Sequence, residues 1–184
     1  MESVKVMVDE HQNILRMLKV IRTACFKVYQ HEKFDYDKFY DMIDFVRNYA
    51  DKHHHSKEEE ILFKEMEKQI PRAKEPIQGM FIDHDSGRHY IRNLESALEK
   101  VKNGDDEAHI DIISNALAYV ELLTRHIDKE DNVIYKFAEK HLNDPAKDLV
   151  EKACEKIEDE ANDKGIQEKY LNLLVELEKY FNVK

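Results

Sequence analysis

Apolar residues recur along this chain at alternating spacings of three and four, the signature of helices that bury one face. The first seam runs through Val4, Val8, His11, Leu15, Leu18 and Cys25. The second holds Phe39, Ile43, Val46, Ala50, His54, Glu58 and Ile61. A third follows Ile77, Phe81, His84, Ile91 and Leu98, and a fourth Ile112, Ala116, Tyr119, Leu123, His126, Glu130, Val133 and Phe137. Breakers punctuate them: "HEKFD" (31–35), "IPRAKEP" (70–76), "NGDD" (103–106) and "NDP" (143–145), the last with Asp144 as N-cap and Pro145 as first helical residue. Long amphipathic segments with short joints predict an all-α chain, an antiparallel up-down-up-down four-helix bundle over residues 1–143. Residues 144–184 add two C-terminal helices, with stripes at Leu149, Ala153, Ile157, Ala161 and at Tyr170, Leu174, Leu177, Phe181, broken at Gly165. They are expected to pack on the bundle and cap access to its core, or else to form a dimer interface; the pattern does not separate the two.

Every bundle seam contains a histidine, and two carry a glutamate four residues later, which stacks both side chains on one face a turn apart. The arrangement is duplicated. In "HHHSKEEEILF" (53–63) and "HIDKEDNVIY" (126–135), His54 matches His126, Lys57 matches Lys129, Glu58 matches Glu130 and Glu59 matches Asp131. The triplet Ile61-Leu62-Phe63 then matches Val133-Ile134-Tyr135. Met7, Val8, Glu10 and His11 likewise match Met80, Phe81, Asp83 and His84. The intervals agree too: 43 positions from His11 to His54 and 42 from His84 to His126. Two helix hairpins related by an internal twofold would bring one histidine and one His/Glu pair from each to a single level.

Composition narrows the class. The 184 residues suffice for one domain with a real core. Three Pro, four Gly and 37% charged residues suit long helices. A net charge of −10 argues against nucleic acid as a partner, and no apolar run approaches a membrane span. The N-terminus "MESVKVMVDEHQ" is too charged for a signal peptide, and Cys25 and Cys154 lack metal-type spacing. A cytoplasmic protein with reduced thiols is the expectation.

A glutamate on a core seam costs several kcal/mol as an ion unless something compensates it. Taken singly, a seam histidine is ordinarily a hydrogen-bonded core residue, and "EEE" a solvated face. Two glutamates and four histidines converging on one level call for cations instead. Imidazole and carboxylate together suit iron, manganese or zinc, and a carboxylate can bridge two metals. A metal-free bundle with neutral histidines would leave Glu58 and Glu130 buried without a partner.

The stretches "DEHQNIL", "HHHSKEEEILF", "IDHDSGRHYIRNL" and "HIDKEDNVIY" resemble the motifs of hemerythrin-like (HHE cation-binding) domains, over about residues 4–141. The resemblance implies a four-helix bundle around two iron ions, with manganese or zinc as alternatives. It also implies metal ligands at His11, His54, Glu58, His84, His126 and Glu130, with the two glutamates bridging. The oxygen carriers that this chain resembles have a second histidine four residues after the one on the third helix, and here that position is Arg88. His89 falls about 140° round the helix from His84 and is left out. His55 is either a fifth histidine ligand or, alternatively, a neighbour steadying the others or a surface group. Arg88 either pairs with Glu58, Glu59 or Asp131 or makes a surface ion pair. Tyr119 is either a pocket hydrogen-bonder or core packing. His31, His53, His109 and His141 read as surface groups, as do Lys57 and Glu60. Where relatives carry "LFP", this chain has Leu62-Phe63-Lys64, a change at the helix end.

The implied function is that of a non-haem di-iron protein that binds or reacts with a small diatomic or peroxide ligand (dioxygen, peroxide or nitric oxide) in sensing or redox chemistry. Arg88 disfavours reversible oxygen carriage. The alternative is a non-enzymatic iron-responsive, iron-donating or iron–sulfur repair module, although repair-type relatives usually have a cysteine-bearing N-terminal segment.

Overall fold

A computed structural model describes residues 1–183, and among them there are six helical rods and no strands. Helix α1 is Glu2–Tyr29. Rod α2 covers 37–69, and within it Val46–His55 and Glu58–Leu62 are wound as wider π turns between the α-helical ends Asp37–Phe45 and Phe63–Gln69. Helix α3 is Lys74–Lys102. Rod α4 covers 108–141, with a π turn at Glu130–Ile134 between Ala108–Lys129 and Tyr135–His141. Helices α5 (Asp144–Asp163) and α6 (Ile166–Phe181) complete the chain.

The first four rods form the expected bundle. The chain leaves α1 through His31 in the left-handed region (φ 55°). It turns from α3 toward α4 at Gly104 (φ 92°), where a side chain would be strained. The α3–α4 pair packs most closely, and Gly87 is one reason: a Cβ there would lie 3.3 Å from Leu123 Cδ2 and 3.4 Å from the Tyr119 ring. The N-cap of α5 is Asn143 rather than Asp144. Its side chain accepts the Ala146 N–H at 3.0 Å, which moves Pro145 one place further into the first turn.

The π turns shift the buried face. Beyond Glu58 and Glu130 an α-helical seam would continue to Ile61 and Val133. Instead Leu62 and Ile134 are buried, Ile61 is half-buried and Val133 is 58% exposed. A turn closed over five residues instead of four carries one extra residue and advances the seam by one position. Smaller slips occur elsewhere. Met7, Ile14 and Met80 fill the core beside half-buried Val8, Leu15 and Phe81. In α5, Val150 and Cys154 face inward while Leu149 is exposed. The expected α6 stripe (Tyr170, Leu174, Leu177, Phe181) is buried throughout.

Two apolar clusters result. One contains Ile14, Leu18, Ile43, Val46, Ile91, Leu98, Ile112, Leu123 and the α6 stripe. The other contains Val4, Met7, Leu62, Phe63, Ile77, Met80, Ile134, Tyr135 and the inner face of α5. Between them lies one layer of buried histidines and carboxylates. Helix α6 packs on α1 and α2, and α5 crosses α1 and the π-wound part of α2. The thiols of Cys25 and Cys154 are free and buried. No helix of the described residues is long and apolar enough to cross a membrane.

Candidate metal centre

Each bundle helix delivers its seam histidine to the polar layer. His11, His54, His84 and His126 are all within 1% of complete burial, and Glu58 and Glu130 are fully buried. Two sets of donor atoms gather tightly enough to hold a cation: His11, His54, Glu58 and Glu130 in one, and His55, Glu58, His84 and His126 in the other. Glu58 belongs to both. Glu130 spans them as well, with His11 Nε2 3.3 Å from one carboxylate oxygen and His126 Nε2 3.1 Å from the other. All six sequence-derived candidates thus converge. His55 joins them, its ring stacked on that of His84 with centroids 3.8 Å apart and planes 14° apart.

The outward faces of the rings show how the site is held. Four of these five histidines hydrogen-bond a carboxylate through Nδ1: Asp131 for His11 (2.7 Å), Glu10 for His54 (2.7 Å), Asp51 for His55 (3.3 Å) and Glu59 for His84 (2.6 Å), while Nδ1 of His126 faces Asp83 at 3.5 Å without a hydrogen bond. An Nδ1–H pointed at a carboxylate orients the ring and leaves Nε2 as the free lone pair, the usual way a protein prepares an imidazole for a metal. The twofold read in the sequence reappears in these contacts. Glu10 and Asp83, each just before the first histidine of its hairpin, face the second histidine of that hairpin. Glu59 and Asp131, each just after a glutamate, reach across to the other hairpin.

Cations brace the carboxylates. Arg88 donates to Asp51 (2.9 Å), Glu59 (2.6 Å) and Asp85 (3.0 Å); of the three partners weighed for it only Glu59 is realised. Lys129 binds Asp83 at 3.0 Å, and its twin Lys57 binds Glu10. Here two sequence expectations are overturned. Lys57 and His53 are buried, not solvated, because α5 lies over them and Glu158 of that helix completes the pairing with Lys57. His53 Nε2 sits 2.8 Å from Glu10 and 3.5 Å from Glu158. Glu60 is exposed, as expected. His31 is exposed, and His109 and His141 are half-exposed, all away from the site.

The inner faces are left short of partners. His11 Nε2, His54 Nε2, Glu58 Oε2 and both Glu130 oxygens are buried without a hydrogen bond. His84 Nε2 and His126 Nε2 face each other at 2.8 Å. Protons compensate only in part. Burial and the neighbouring Glu130 push the Glu58 carboxyl up to about 8. Burial alone would lower His11, His84 and His126, yet the surrounding carboxylates outweigh it and raise them to about 9, 9 and 10. Burial, with charge from His11, takes His54 down to about 4. A buried layer that must keep a carboxyl protonated beside raised imidazoles, with two ring nitrogens crowded against each other, is a donor set suited to cations. Tyr135 adds one more contact, donating to Glu58 at 2.5 Å while its ring stacks on His11.

Sequence reasoning did not assign Glu10, Asp51, Asp83 or Tyr135. A signal existed for two of them: Glu10 and Asp83 occupy matching places in the duplicated motif. Asp51, one turn before His55, had no twin to draw attention to it.

The family model for the hemerythrin HHE cation binding domain matches residues 2–138. The chain belongs to that family, and it carries buried His/Glu clusters of the kind a metal centre requires. No match was found among curated proteins or solved structures.

Proposed function

We propose that this chain is a non-haem di-iron protein, with His11 and His54 holding one iron, His55, His84 and His126 the other, and Glu58 and Glu130 bridging. The observation that carries the reading is the set of imidazoles with Nδ1 on carboxylates and Nε2 turned toward two shared glutamates. Five nitrogen and two carboxylate donors suit iron, with manganese or zinc able to use the same groups. When bound, two adjacent redox metals supply electron exchange with a small ligand such as dioxygen, peroxide or nitric oxide. The protein's own part is to keep the rings in register, to exclude bulk water with the two apolar clusters, and to hold a proton near Glu58 on the Tyr135 hydroxyl. Cover by α5 over Lys57 favours retention of metal over donation to a client. Elemental analysis of protein purified without a metal-affinity step tests this, with about two irons per chain expected. A folded protein that cannot be loaded with Fe(II) would refute it.

A further inference from the structure

A cavity of about 330 Å³ opens beside the His55–His84 stack, walled by Val46, Asp51, Gly87, Ile91 and Tyr119. It is far larger than a diatomic needs, since one water occupies roughly 30 Å³ of liquid. Its wall contains an unpaired group: the Tyr119 hydroxyl is buried and has no hydrogen-bond partner. Burial holds the phenol pKa well above its ordinary value, so this group keeps its proton and can donate. A side chain at Gly87 would press on the Tyr119 ring, 3.4 Å from the Cβ position, so the glycine lets that ring stand in the wall undisturbed.

The charges around the cavity do not select an anion. Arg47 is paired through two nitrogens with Glu95, and Arg88 with Asp51, Glu59 and Asp85. Arg92 stands at the exposed rim, where solvent screens its charge. Apolar surface from Val46, Ile91, Gly87 and the Tyr119 ring makes up the rest. Such a pocket suits an uncharged molecule that buries an apolar body and satisfies one donor.

We propose that this cavity binds a small uncharged organic molecule with an apolar body and an oxygen head, an alcohol or a hydroperoxide, hydrogen-bonded by the Tyr119 hydroxyl. The inference rests on the di-metal reading, for it makes the cavity the approach to the His55, His84 and His126 side of the centre. It predicts saturable binding of the unreactive probe 2-phenylpropan-2-ol to the metal-loaded full chain, measured by calorimetry and by NMR. Tyr119→Phe, which removes only the hydroxyl oxygen, should weaken binding roughly three- to tenfold. Ile91→Phe, which fills the cavity, should abolish it. Displacement of the probe by cumene hydroperoxide would assign the site to hydroperoxides, and binding of the alcohol alone would assign it to alcohols. Failure of the wild-type protein to bind either probe, or equal affinity in wild type and Tyr119→Phe, overturns the proposal. Metal content measured on the same samples separates the two ideas. Full metal without probe binding strikes only the cavity, whereas a folded chain that takes up no metal strikes the di-metal reading beneath it.

Discussion

Lys57 and Lys129 hold the same place in the two hairpins, and each neutralises the carboxylate that orients a histidine. Yet the Lys57 side chain is 1% exposed and that of Lys129 51%. The difference comes from outside the duplicated unit. Helix α5 lies across one hairpin, brings Glu158 to Lys57 and seals the Glu10–His54 side. In the other hairpin His126 is equally buried, but the pair that stands beside it, Asp83 and Lys129, stays open to solvent at 18% and 51% exposure. On the less covered side stands a second set without twins: His55, Asp51 and Arg88, whose counterparts by the repeat are Ile127, Leu123 and Leu15. The centre is therefore built by symmetry and made unequal by additions, a closed half under α5 and a half beside the cavity.

Several changes would break or sharpen that comparison. The largest effect is expected where the halves meet. Glu58→Ala removes a carboxylate that belongs to both donor sets and should cost both metals together with several kcal/mol of metal-dependent stability, read by elemental analysis and urea unfolding. Retention of one metal would mean that Glu58 serves a single half. Next comes Lys57→Met, which leaves Glu10 buried without its cation and should destabilise by about 3–5 kcal/mol. Lys129→Met removes the same pairing at the surface and should cost less than about 1 kcal/mol. Similar losses in the two variants would contradict the asymmetry attributed to α5.

Arg88→Met belongs between these. Its carboxylates Asp51 and Glu59 are only partly buried, so a cost of about 1–2 kcal/mol is expected. The His55 and His84 ring resonances should move in the NMR spectrum while those of His11 and His54 stay in place. The smallest effect is a proton count. At pH 7 the metal-free site holds protons on Glu58 (about 8), His11 and His84 (about 9 each) and His126 (about 10). A cation must displace those protons to reach its donors, so loading near pH 7 should acidify a weakly buffered solution. For the same reason metal affinity should rise as pH increases from 7 toward 9. Loading with no proton release would show that the metal-free layer is already deprotonated.

The duplicated His–x₂–Lys–Glu motif made the centre legible, because both copies place imidazole and carboxylate one turn apart on a buried face. Helical period and short joints likewise made the bundle legible. His53 and Lys57 were misplaced for a physical reason: periodicity identifies a helix face, but not whether a distant helix will cover it. Ile61 and Val133 were misplaced because a π turn resets the phase after the glutamates, and α-helical spacing carries no notice of that. His55 could not be decided from its neighbours, since its burial depends on stacking against His84 of another helix.

The sequence by itself thus determined the number of helices and the six residues that meet in the polar layer, because these follow from helical period and a spacing repeated twice, while the motifs around those residues carried the family. Only the tertiary structure decided which carboxylate orients each ring, that Lys57 is sealed while Lys129 is not, and that Tyr119 fronts a cavity. Those are contacts between segments far apart in the chain. They are fixed by how the helices pack, which the periodicity of each helix does not encode.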